Sequence, residues 1–106
     1  MRIIKMLAED IEENVREARA HIECAYRLRS EHPQEAAWLR DMAATHLSFN
    51  SKGHDLVKQN IDQYRMSDEH KQHPEYVDGM QAVWDDRHAD IVAETARVKA
   101  MIDTFK

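Results

Sequence analysis

Two glycines and two prolines are all that this chain of 106 residues has with which to reverse direction. A β-sandwich or barrel of that length needs a turn about every dozen residues, and four residues cannot supply them. What remains is an all-α chain of long helices with few breaks. Charged residues at 33% and apolar ones at 42% suit a folded domain better than a disordered or membrane-embedded chain. The length suits a single domain, 1–106.

The prolines mark where the breaks fall. They occur as His32-Pro33 and His73-Pro74, and proline starts helices while keeping the residue before it out of helix. Glu35 and Glu75 follow, at the positive end of each helix dipole. The spacing predicts helices over about 3–30, 34–65 and 74–105, with residues 67–73 as a polar loop. The first helix has an apolar stripe through Ile4, Leu7, Ile11, Val15, Ala18, Ile22 and Ala25. The second runs through Leu39, Ala43, His46, Asn50, Gly53, Val57, Asn60 and Tyr64. Its weak point is Asn50-Ser51-Lys52-Gly53, of low helix propensity, but the stripe stays in phase across it and predicts one continuous helix. The third runs through Met80, Val83, Trp84, Ile91, Val98, Met101, Ile102 and Phe105. Each helix is about 45 Å long at 1.5 Å per residue. Short connections make neighbours antiparallel, giving an up-down-up bundle of three helices.

Antiparallel pairing places residue i of the first helix level with about 64 − i on the second, and residue j there level with about 140 − j on the third, to about one turn. Ala18, His46 and Glu94 fall on one level; Asn14, Asn50 and Asp90 on the next; Ile11, Gly53 and Arg87 on a third. A polar layer of His46, Asn50, Glu94, Arg87 and Asn14 is therefore expected in mid-bundle. Burying such groups unpaired costs about 1–3 kcal/mol each, and more for a charge, so they need partners. His46 can pair with Glu94, and Arg87 with Asn50 or Asp90. The layer can instead meet a second chain, or hold a metal through His46, Glu94 and either His21 or Glu17. One clear inward carboxylate is too few for a carboxylate-bridged di-metal centre, and Glu13 and Glu17 are expected on the outer side. Asp85-x-x-His88 has the spacing that puts both side chains on one face, and His54 lies near the level of Asp86.

Trp38, Met42, Phe49 and Leu56 form an apolar ridge beside the stripe of the second helix. A helix apolar over more than half its circumference is covered on two sides. In a three-helix protein a second copy of the chain is the simplest cover, since an exposed ridge of that size is sticky.

The formal net charge of −5 argues against nucleic acid, which needs a concentrated positive surface. Cys24 is the only cysteine, which excludes an intramolecular disulfide and fits a reducing, cytoplasmic compartment. No stretch has the length of a membrane span or the core of a signal peptide, so no membrane association is expected. Both glycines are isolated, which leaves no Gly-rich phosphate loop, and local spacing supports no Ser-His-Asp or Cys-His arrangement.

The stretch Met80-Gln-Ala-Val-Trp-Asp-Asp-Arg-His88, followed by Ile91-Val-Ala-Glu94 and Val98-Lys99, resembles the last helix of small ferritin-like three-helix proteins. These are mostly uncharacterised and often encoded in bacterial prophages. Ala36-Ala37-Trp38-Leu39 through His54-Asp55-Leu56-Val57 resembles their second helix. In that family a Glu-x-x-His pair precedes the histidine matching His54. Here that place reads His46-Leu47-Ser48-Phe49, so the carboxylate has become His46 and the histidine Phe49. The resemblance implies the fold and a tendency to pair, not an intact di-iron centre.

The expected function is that of a non-enzymatic homo-oligomer, with a dimer favoured, in a scaffold or protein-interaction role and without a cofactor. The alternative is a ferritin-like protein holding iron, manganese or zinc through His46, Glu94, His54, His88 and Asp85. A spectrin-like monomeric bundle that mediates contacts is a third expectation.

Overall fold

Pro33 and Pro74 each stand in the first turn of the helix they are expected to start. The computed structural model describes residues 2–106, so residue 1 of the expected domain lies outside it. The chain is all-α, and among the described residues there is no strand. Among the described residues there are four helices where three are expected: α1 (Arg2–Leu28), α2 (Pro33–Arg65), α3 (Asp68–Gln72) and α4 (Pro74–Thr104). α2 runs unbroken through residues 50–53.

The additional helix α3 corrects the reading of residues 67–73 as a loop. Ser67 caps it, its Oγ accepting from the His70 amide at 3.2 Å and donating to the Tyr64 carbonyl at 2.6 Å. Asp68 and Glu69 fill its first turn and Lys71 its last, the charge order a helix dipole favours. A polar segment with no apolar stripe can still close one turn if its ends are capped. α3 contributes no buried residue.

The three long helices pack against one another, and the structure is elongated, 61 × 18 × 17 Å. Contacts run in opposite order along α1 and α2: Ile11 meets Gly53, Asn14 meets Asn50, and His21 meets His46. They run in the same order along α1 and α4, from Glu12–Arg87 through Arg19–Glu94 to Tyr26–Met101. At that end the Tyr26 hydroxyl donates to the Met101 carbonyl at 2.9 Å, and its ring meets Phe105 edge-on.

Buried positions repeat every seven residues. The series is Ala36, Ala43, Asn50, Val57 and Tyr64 on α2, and Val77, Trp84, Ile91 and Val98 on α4, with Ile61 and Ile102 buried four residues after Val57 and Val98. On α1 the spacing alternates four and three from Ile4 through Ala8, Ile11, Val15, Ala18 and Ile22 to Ala25. A seven-residue repeat keeps one seam toward the neighbouring helices along their whole length. This repeat corrects the expected stripes. Val83 is 59% exposed, because the seam selects its neighbour Trp84 and adjacent helical residues point about 100° apart. Leu7 is half-buried beside a buried Ala8. α1 and α2 approach closely at Gly53. A Cβ added to Gly53 would lie 2.8 Å from Ile11 Cγ1, so glycine permits the approach there.

Candidate functional site

The expected polar layer divides in the structure. Its centre is one buried residue, Asn50, on the α2 seam. The Asn50 Oδ1 accepts from Asn14 Nδ2 at 3.0 Å, and its Nδ2 donates to the Ile11 carbonyl at 3.2 Å. Both ends of the amide are thus satisfied, as a buried polar side chain requires. The rest of the layer lies at the edges of the core. Glu94 does not pair with His46. It accepts from Arg19 Nη1 at 2.7 Å and from Arg97 Nη1 at 3.3 Å. The level of Glu94 agrees with expectation to within a turn, but its side of the helix does not. It faces α1, where a guanidinium competes for it. Arg19 also reaches Glu23 at 2.8 Å, and its bonds to Glu23 and Glu94 hold its pKa above the ordinary arginine value. Arg87 lies 3.8 Å from Glu12, not against Asn50 or Asp90, and Asp90 is exposed.

His46 turns instead toward α1. Its ring lies 5.1 Å from that of His21, tilted by 34°. Glu17, His21 and His46 bring one ligating atom each to within 4.8 Å of one another, the only such group of three His, Cys, Asp or Glu among the described residues. All three are half-buried, which corrects the placement of Glu17 on the outer side. The four-residue spacing of Glu17 and His21 puts them on one face of α1, and the fold brings His46 across from α2. The His21 ring is held through Nδ1, 2.6 Å from the Glu17 carbonyl oxygen. A carbonyl only accepts, so Nδ1 carries a proton, and Nε2 is the ring nitrogen left to meet a ligand. The Nδ1 of His46 is buried with no hydrogen-bond partner among the described residues.

His54 and His88 meet elsewhere, around Trp84. The His54 ring is 5.0 Å from His88 and 5.6 Å from Trp84, edge-on to both, and His88 stacks on Trp84 at 5.2 Å. Burial, with the neighbouring His88 charge, lowers the His54 pKa below the usual histidine value, although Asp55 opposes the shift. A group held neutral in this way packs as an aromatic ring. Asp85 is exposed and bonded to Gln81 at 2.8 Å. His54, His88, Asp85, His46 and Glu94 therefore do not converge on one point.

The ridge on α2 is open to solvent. Trp38 is 61% and Phe49 57% exposed, with Met42 and Leu56 half-buried. No helix of the described residues is long and apolar enough to cross a membrane. Comparison with protein-family models, curated proteins and solved structures gives no match to this chain.

Proposed function

We propose that this protein is a non-enzymatic, cytoplasmic helical-bundle protein that works as a homo-oligomer, most simply a dimer, in a scaffold or protein-interaction role. In this reading α1, α2 and α4 form an up-down-up, ferritin-like half-bundle that a second copy completes along α2. The observation that carries it is the exposure of Trp38 and Phe49 on one side of a single helix. From Trp38 to Leu56 the ridge spans about 27 Å at 1.5 Å per residue. A large aromatic side chain offers roughly 150–250 Å² for burial. The open fractions of Trp38 and Phe49 thus leave about 200–250 Å² uncovered per chain. Covering both copies yields roughly 10 kcal/mol at about 25 cal/mol per Å². This is of the same order as the roughly 4–15 kcal/mol that association costs. Met42 and Leu56 extend the surface toward the roughly 800 Å² per partner of a stable interface.

Paired variants test the surface. Trp38→Glu with Phe49→Glu should give a folded monomer, with the helical circular dichroism of wild type and half its sedimenting mass. Val83→Glu also charges an exposed apolar position, but on α4, and should leave the oligomer intact. If Val83→Glu dissociates the protein and the α2 pair does not, the proposed interface is wrong.

A further inference from the structure

We infer that Glu17, His21 and His46 form a binding site for one divalent transition-metal ion, with zinc as the best fit. The site lies between α1 and α2, away from His54 and His88, and it does not depend on self-association. Two imidazoles and a carboxylate make a donor set suited to borderline ions such as zinc, whereas magnesium and calcium prefer all-oxygen sites. The mutual separation of at most 4.8 Å would put an ion at the centre of the three atoms within about 2.8 Å of each. Zinc bonds of about 2.0–2.1 Å then require each side chain to move about 0.7 Å, within reach of small side-chain rotations. With a single carboxylate in the group, a bridged two-metal centre does not fit, and a mononuclear site does.

Two further features point to a ligand. The hydrogen bond from His21 Nδ1 to the Glu17 carbonyl is the outer contact that orients metal-binding histidines, fixing the ring and leaving Nε2 to coordinate. The buried Nδ1 of His46 has no partner among the described residues, and an unsatisfied buried polar atom is costly. A cation bound at that nitrogen would give it a partner. Three protein donors leave a fourth position open to water or another ligand. His46 follows Met42 by four residues and precedes Phe49 by three, so this position lies within a turn of the exposed ridge.

Zinc titration of the full chain by calorimetry, near neutral pH, tests the site. The expected result is one zinc per chain. His21→Ala and His46→Ala should each weaken binding at least tenfold while circular dichroism stays helical. His54→Ala, His88→Ala and Cys24→Ser should bind as wild type. Cobalt in place of zinc should give the visible absorption of a tetrahedral nitrogen–oxygen site, without a thiolate charge-transfer band. No binding at 100 µM zinc would overturn the inference. So would binding that survives loss of both His21 and His46, or a thiolate band, which would put the ion on Cys24.

Discussion

Gly53 and Gly79 both sit inside long helices, and replacing each with alanine measures how closely α1 and α2 approach. Glycine in a helix interior is less favourable than alanine by about 1 kcal/mol, partly through the freedom it retains in the unfolded chain. A Cβ at Gly79 meets nothing within 4 Å. Gly79→Ala should therefore stabilise the protein by about 0.5–1 kcal/mol. At Gly53 the same atom would lie 2.8 Å from Ile11 Cγ1 and 3.1 Å from Cδ1. Ile11 is 2% exposed and β-branched, so it cannot swing aside. Overpacking of this kind costs about 1–3 kcal/mol. Set against the propensity gain, Gly53→Ala should destabilise by about 1 kcal/mol. The two variants should then differ by about 2 kcal/mol. Urea unfolding followed by circular dichroism at a fixed protein concentration resolves that difference. Adding Ile11→Ala should recover the overlap cost, so the double variant loses less than the sum of the two single losses. Equal stabilisation by Gly53→Ala and Gly79→Ala would refute the close approach of α1 to α2 at this level.

The Asn50 amide spans two contacts in the core, so Asn50→Ala should cost about 2 kcal/mol, at roughly 1 kcal/mol per hydrogen bond. Asn14→Ala, at a half-buried position, should cost less; equal losses in urea melts would contradict the placement of Asn50 on the seam. His54 has a folded-state pKa depressed below its unfolded value of about 6.5 by burial and by His88. Its contribution to stability is thus fully present above the unfolded pKa and is lost as pH falls through that value toward the folded one. Thermal melts between pH 7.5 and 5.5 should show wild type losing stability more steeply than His54→Phe, and parallel curves would sink this assignment.

The helix starts were legible because proline acts locally: a missing amide and a fixed φ need no tertiary context. The levels of Asn14 with Asn50 and of Ile11 with Gly53 followed from helix rise and short connections alone, and the observed pairs agree. The side of the helix on which a borderline residue lies was less legible. A stripe drawn at 3.6 residues per turn is broad, and it admitted Val83 beside Trp84. The seven-residue repeat of Val77, Trp84, Ile91 and Val98 would have chosen between them. His46 and Glu94 went astray for a related reason. Each lies at the margin of its stripe, where the side chain can turn to either neighbouring helix. Arg19 takes Glu94, and His46 turns to α1. The Glu17–His21 spacing was visible in the sequence, but His46 joins it only through the packing of α2. Helix α3 was hidden because a capped single turn leaves no periodicity to read.

The exposed ridge on α2 is tested most directly by sedimentation equilibrium of the wild-type chain at tens of micromolar. Association through Trp38, Met42, Phe49 and Leu56 predicts a mass twice the 12.5 kDa of one chain, falling toward the single-chain value on dilution or in the Trp38→Glu, Phe49→Glu variant. A wild-type protein that sediments at the single-chain mass throughout that range would contradict it.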